Sequence, residues 1–174
     1  MDIGAAGPAA NRASRAALDG RYQDAIKAYQ EALSLAPHAA NLHYALGLVL
    51  AEVQQDKKAI KSFQKASQRA PHNPEPMTEE ARLHIRAQRY DLAKQVLEKV
   101  LEHHPTHAPA LNNRGVVAFL EESYSEACDF FERAVQSHSQ FRDAWFNLAD
   151  TYAMLGNIEG EKRARSRYYE VGKE

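Results

Sequence analysis

Three imidazoles crowd into the segment EHHPTH, at His103, His104 and His107, and histidines at such spacing raise the question of a metal site. Their setting argues otherwise. Pro105 puts the cluster at a helix end and turn, where polar groups suit the last unpaired carbonyls, and no fourth ligand can be assigned. His38 and His72 occupy matching turns without companions. The expectation is no metal and no cofactor. The lone cysteine, Cys128, has no base assignable from sequence. A basic run, Lys162, Arg163, Arg165 and Arg167 followed by Tyr168 and Tyr169, offers phosphate contacts in principle, but one cationic helix end in a neutral chain reads as a solvated cap. There is no GxSxG elbow, no phosphate-cradling glycine loop and no HExxH, so the chain is expected not to be an enzyme.

The bulk numbers agree with a binding or structural role. Lys and Arg total 22 against 23 Asp and Glu, a formal charge of -1, so no overall field draws in nucleic acid or anionic lipid. At 174 residues and 44% apolar a sizeable core can be buried. One cysteine rules out an internal disulfide framework and fits a reducing compartment. No export signal or run of about 18 apolar residues is present, and the expectation is a cytoplasmic protein with no membrane insertion.

The elements that position these residues repeat. Pro37, Pro71 and Pro105 are spaced by 34, and Ala25, Ala59, Ala93 and Ala127 keep the same step. Four places after each alanine stands a large apolar residue, Tyr29, Phe63, Leu97 and Phe131, and seven places after stand Ala32, Ala66, Val100 and Ala134. That spacing is one helical face. Upstream, Ala13, Gly47, Ala81, Gly115 and Ala149 recur at the same step, always small, which lets two helices approach closely. Each unit therefore reads as two helices of about 12 to 14 residues joined by a tight turn and stopped before the proline. Such a hairpin cannot bury its apolar face alone, so successive hairpins must stack.

Segments such as GRYQDAIKAYQEALSLAP (20–37) resemble the tetratricopeptide repeat family, whose period is also 34 residues. The resemblance covers almost the whole chain in five units, about 6–39, 40–73, 74–107, 108–141 and 142–174, and implies a single all-α domain over 1–174: a right-handed superhelical solenoid of antiparallel helix pairs. Three departures stand out. Arg12 occupies a usually apolar position, so the first unit reads as partly frayed or as a cap. Ser139 replaces the recurring proline. Glu161 replaces the recurring alanine, and the last helix reads as a polar C-terminal cap.

The resemblance further implies a concave groove lined by the first helix of each pair. Carried onto this sequence, the groove positions are Tyr44, Leu48, Glu79, Arg82, Asn112, Asn113, Val116, Phe119, Phe146, Asn147 and Asp150. Asn113 and Asn147 lie one period apart and either grip the backbone of an extended peptide, since an amide both donates and accepts, or bridge neighbouring helices. The family's carboxylate clamp for chaperone tails is not matched: Tyr44, Leu48, Glu79, Pro109 and Asn113 fill one window, and Thr78, Arg82, Asn113, Asp143 and Asn147 the other. Glu80 and Arg114 share the seventh position of adjacent units and are expected to meet as a partly buried ion pair. The leading expectation is an adaptor that binds a peptide segment of a partner protein. The alternatives are a scaffold that forms a homo-oligomer through its end helices, with Tyr168 and Tyr169 in the contact, and a targeting module of a larger enzyme.

Overall fold

The computed structural model describes residues 4–172; positions 1–3 and 173–174 of the expected domain lie outside the described residues. Among the described residues there are ten α-helices and no strand. After a short 3-10 turn at Gly4–Ala6 come α1 (Gly7–Leu18), α2 (Tyr22–Leu35), α3 (Ala40–Glu52), α4 (Asp56–Arg69) and α5 (Glu75–Arg86). They are followed by α6 (Tyr90–His103), α7 (Ala108–Leu120), α8 (Tyr124–Ser137), α9 (Arg142–Met154) and α10 (Ile158–Val171). Helix lengths of 12 to 14 residues match the reading of the period. The chain divides between Leu83 and His84 into two compact units. In the first, α1 packs on α2, α2 on α3 and α3 on α4; in the second, α6 packs on α7, α7 on α8, α8 on α9 and α9 on α10.

Both cores are built from the recurring positions. Ala25, Ala32, Ala59, Phe63 and Ala66 are fully buried in the first unit, and Ala93, Leu97, Ala127 and Ala134 in the second. Two glycines set the closest approach. A Cβ on Gly47 would lie 2.5 Å from Cε1 of Phe63, and one on Gly115 would lie 2.6 Å from Cε1 of Phe131. Where an alanine holds the same position, at Ala13, the opposing ring is Tyr29, whose hydroxyl lies 3.1 Å from Ser14 Oγ.

The turn within each pair also repeats. Gly20, Gln54, Gln88, Glu122 and Gly156, each 34 apart, take φ between 56° and 72°. The next residue's N–H reaches back five residues: Arg21 to Ala16, Gln55 to Leu50, Arg89 to His84, Ser123 to Ala118 and Asn157 to Tyr152, at 2.8 to 2.9 Å. This left-handed closure satisfies carbonyls that a helix end leaves unpaired. Between pairs, the residue before each recurring proline, Ala36, Ala70 and His104, has φ of -133° to -136° and ψ of 68° to 72°, outside the helical region that a following proline disfavours. His138, before Ser139, adopts the same turn with φ -143° and ψ 91°, so the missing proline alters nothing there.

The departures resolve differently. The fraying expected of the first unit is not found, because α1 buries Ala9, Ala10, Ala13 and Ala16. Arg12 turns outward and holds both carboxylate oxygens of Glu31 at 2.7 and 2.8 Å. In α10 the buried residues are Gly160 and Ala164, one place earlier in the repeat than Ala127 and Phe131. Most of its other side chains are exposed, and Asn157 caps it by accepting from the Gly160 N–H at 2.9 Å. Glu80 and Arg114 each find a partner within their own unit. Gln64 donates to Glu80 at 2.7 Å, and Arg114 donates to Glu126 at 2.7 Å.

The approach at Gly115 has a direct test. Gly115→Ala should destabilise the protein by about 1–3 kcal/mol in urea titrations, because the buried Phe131 ring has nowhere to retreat. Gly115→Ala combined with Phe131→Leu should recover part of that loss. An alanine variant as stable as the parent would show that the ring can shift.

Candidate functional site

The sequence-derived positions fall in two places, one in each unit. In the first, α3 supplies Tyr44 and Leu48, and α5 supplies Glu79 and Arg82. Asn73 accepts from the Glu75 N–H at 3.1 Å and so starts α5, while Arg82 holds Glu79 at 2.7 Å one turn along. The charge concentrated in α5 is thus partly an intrahelical ion pair. The Tyr44 ring packs on Phe63 with centroids 5.9 Å apart. Its hydroxyl is pushed up to about 12, first by burial and then by the negative charge of Glu79 and Glu75, with Arg82 opposing. This face is therefore polar and negative, with Leu48 exposed beside it.

In the second unit, α7 and α9 bring four of the expected residues to one cleft of about 90 Å³, lined by Val116, Phe119, Leu120, Phe131, Asn147 and Asp150. The fixed contact of Gly115 with Phe131 sets the rotation of α7. Phe119 then follows one turn beyond Gly115 on nearly the same face, with Val116 and Leu120 further round the helix, and the Phe131 ring lines the same cleft. Phe119 is braced edge-on by Tyr124, with centroids 5.3 Å apart.

Asn147 is held in place from behind. Its Nδ2 donates to Oδ1 of the buried Asn112 at 2.9 Å, and Thr151 Oγ1 donates to the Asn147 carbonyl at 2.7 Å. Asn112 thus positions Asn147, and the contact between α7 and α9 runs through Asn112. The remaining donor and acceptor of the Asn147 amide stay with the cleft. Asn113 is half-buried on α7. At the rim, Asp150 accepts from Arg165 at 3.1 Å and Arg165 also binds Glu161 at 2.8 Å. Phe146, exposed at the next turn of α9, packs on Tyr168 at 5.6 Å, which in turn lies under Arg142 at 4.2 Å.

Sequence reasoning missed Leu120, the role of Asn112, and Arg165 as the partner of Asp150. Leu120 had a signal, since it sits one helical turn beyond Val116. Arg165 had none, because it occupies the step at which Tyr29, Phe63, Leu97 and Phe131 are core residues.

The lone cysteine is not set up as a nucleophile. Cys128 is buried, and its thiol is pushed up to about 11 from an ordinary 9.0, chiefly by burial and then by Glu132. Glu132 also accepts from the Tyr152 hydroxyl at 2.5 Å, and Tyr152 is pushed upward for the same reasons. A neutral, buried thiol is inert. Among the described residues no group of three or more His, Cys, Asp or Glu side chains could hold a metal ion, and no helix is long and apolar enough to cross a membrane.

Stacked helix pairs with polar and apolar side chains set out along their first helices define a helical-repeat interaction scaffold. Tetratricopeptide repeat models match residues 40–73 and 78–140, and a TPR repeat model matches 18–54. The chain belongs to the tetratricopeptide repeat family. Among solved structures, Pseudomonas aeruginosa pilF matches with a TM-score of 0.84 and 18% identity, covering 98% of this chain and 78% of that one. YrrB, described as a TPR protein with an unusual peptide-binding site, matches with a TM-score of 0.65 and 22% identity, over 94% and 84% of the two chains. The Homo sapiens protein O-mannosyl-transferase TMTC1 is 25% identical over 155 residues, which are 87% of this chain and only 17% of that protein.

Two measurements check the local chemistry. Asn147→Ala should cost about 1–3 kcal/mol, because it strands the buried Asn112 amide. In a double-mutant cycle with Asn112→Ala the penalties should fall short of additive, and strict additivity would dismiss the positioning role. Alkaline pH should destabilise the fold, since Cys128, Tyr44 and Tyr152 keep their protons in the folded state after the unfolded chain has lost them. The melting temperature should therefore hold to about pH 9 and fall as pH rises toward 11, with iodoacetamide labelling of Cys128 negligible below that range. Rapid labelling at pH 8 would contradict the buried thiol.

Proposed function

We propose that the protein is a non-catalytic adaptor that binds an extended segment of another protein on the α7/α9 face of its second unit. The observation that carries this reading is the size and chemistry of the α7/α9 cleft. At about 90 Å³ it is far below the roughly 300–1,000 Å³ of small-molecule sites, and it suits one aliphatic side chain. Val116, Phe119 and Leu120 provide the apolar wall. The Asn147 amide, set by Asn112, is available to a peptide backbone, with Asn113 on the adjoining helix and Phe146 exposed further along. Asp143 shares a face of α9 with Asp150 by spacing; Asp150 is already held by Arg165, so Asp143 is the carboxylate left to meet a cationic residue of the segment. The tetratricopeptide fold, and a peptide-binding site in the similar YrrB, support the same reading.

Partial likeness to an O-mannosyl-transferase favours a second reading, in which such repeats serve as a targeting module of a larger enzyme. Co-purification of mannosyl-transferase activity with the chain from its source cells tests it, and protein captured without that activity overturns it.

For the principal reading the test is Val116→Glu with Leu120→Glu. Both positions are already half-exposed or exposed, so folding should be nearly unchanged. Partner proteins captured from a lysate by the parent chain and identified by mass spectrometry should be depleted about tenfold or more on the variant, the loss of one good anchor. Undiminished capture by a variant of normal helicity would remove the α7/α9 cleft from consideration.

A further inference from the structure

Helix α4 carries five cations, Lys57, Lys58, Lys61, Lys65 and Arg69, against a single carboxylate, Asp56. In α2, α6 and α8, which hold the same place in their pairs, carboxylates outnumber Lys and Arg. Helix α10 is also rich in arginine, but Arg165 is tied to Glu161 and Asp150, and Arg167 to Glu170. The cations of α4 have no such partners. All five are exposed, and among the described residues none of them forms an ion pair; Lys58 donates only to the neutral amide of Gln55, at 2.8 Å. Lys57, Lys61, Lys65 and Arg69 follow one another at i, i+4 spacing, so that successive like charges repel and weaken the helix. Lys57 and Lys58 also stand in its first turn, where the dipole favours the opposite sign. The counter-charge is left for a partner to supply.

This row borders a groove of about 590 Å³ between α2 and α4, lined in part by Leu33, Ser34 and Leu46 and by Lys65, Gln68 and Arg69. None of the residues lining it is acidic. Leu46 is buried and Leu33 half-buried, so aliphatic surface lies below the polar and cationic groups. Lys61 stands one turn before Lys65 on the same inclined ridge of the helix. From Lys61 to Arg69 the axis advances about 12 Å, the length of about four extended residues. These features discriminate among anions. Helix α4 exposes no large apolar side chain that could insert into a bilayer, and a flat lipid surface would not reach the leucines. No Phe, Tyr or Trp lines the groove for a nucleic-acid base to stack on. A small anion would meet one end of the row and leave the rest unpaired.

We propose that the groove between α2 and α4 binds an acidic, extended segment of a partner protein, with one aliphatic side chain seated on Leu33 and Leu46 and carboxylates set against Lys61, Lys65 and Arg69. Each exposed ion pair contributes little by itself. The aliphatic anchor supplies affinity, while the row of cations supplies selectivity and a faster encounter. The site lies wholly within the first unit and is independent of the α7/α9 cleft. It also selects the opposite charge from the one that Asp143 favours there.

The test depletes a phage library of random dodecapeptides on a chain carrying Lys61→Glu, Lys65→Glu and Arg69→Glu, then selects on the parent chain. Recovered peptides should combine several Asp or Glu residues with an aliphatic one, and fluorescein-labelled copies should bind the parent in anisotropy titrations. Affinity should fall about tenfold or more when the aliphatic residue becomes serine, fall similarly when the acids become amides, and weaken with added salt. Leu120→Glu should leave this binding unchanged. The milder variant Lys61→Gln with Lys65→Gln should also lose affinity, yet melt at or above the parent's temperature because repulsions are removed. It replaces the charge reversal throughout should that variant fold poorly. A lower melting temperature would show that the cations serve the fold and would overturn the proposal. Recovery of no peptide, of peptides without acids, or of peptides indifferent to their aliphatic residue would do the same, as would lost binding in Leu120→Glu. Tighter binding to phosphatidylserine vesicles or to a single-stranded dodecanucleotide than to any selected peptide would give the row to a membrane or a nucleic acid instead. A dimer in light scattering that the charge reversal abolishes would give it to a second copy of the chain, again overturning the proposal.

Discussion

The close contact between a glycine on one helix and a phenylalanine ring on its partner governs much of what lies around it. At Gly47 with Phe63 and at Gly115 with Phe131 there is no room for even a methyl group. A contact that tight fixes both the separation of the two helices and the rotation of each about its axis. Once Gly115 faces inward, the 3.6-residue turn sets Phe119 one turn along on nearly the same face and Val116 and Leu120 further round the helix. The α7/α9 cleft is therefore a by-product of core packing as much as a feature in its own right. Side chains in it are precise because the backbone beneath them cannot roll.

The recurring positions made most of the fold legible in the sequence. Small, alanine, large apolar and proline positions at one period gave the helices, their lengths and their pairing, because each position has a single physical duty that few residue types can fulfil. Even Ser139, where the proline is missing, changes nothing. The conformation at His138 is close to that at His104, which precedes Pro105. What stayed hidden depends on geometry off the period. The two asparagines expected to be equivalent are 113 and 147, yet the bond observed joins 112 and 147, separated by 35, since the crossing of adjacent first helices brings together residues that are not repeat equivalents. Arg12 misled for a related reason. A long, charged side chain at an apolar position need not disrupt the helix when it can reach Glu31 across the neighbouring one.

Where the repeat pattern holds, the chain packs; where it lapses, chemistry becomes available. Arg165, at the step of a core aromatic, carries charge to Asp150, and Ala164 takes the buried place one residue earlier. Binding character in such a protein lies in its exceptions to its own rule. The α7/α9 cleft illustrates this: the Asn147 amide and the Asp150 carboxylate sit among Val116, Phe119, Leu120 and Phe131.

Placement of the sole indole ring has a consequence for how unfolding is observed. In stacked repeats each pair is held mainly by its immediate neighbours, so a pair at the end of a stack can melt before the interior. Trp145 belongs to the α9/α10 pair and is tied to the turn just before it through Ser139. Its emission therefore follows the opening of that pair, whereas far-ultraviolet circular dichroism averages over all ten helices. Non-coincidence of the two signals along one denaturation curve would report opening of that pair separately from the rest, and a single two-state free energy would then describe neither process.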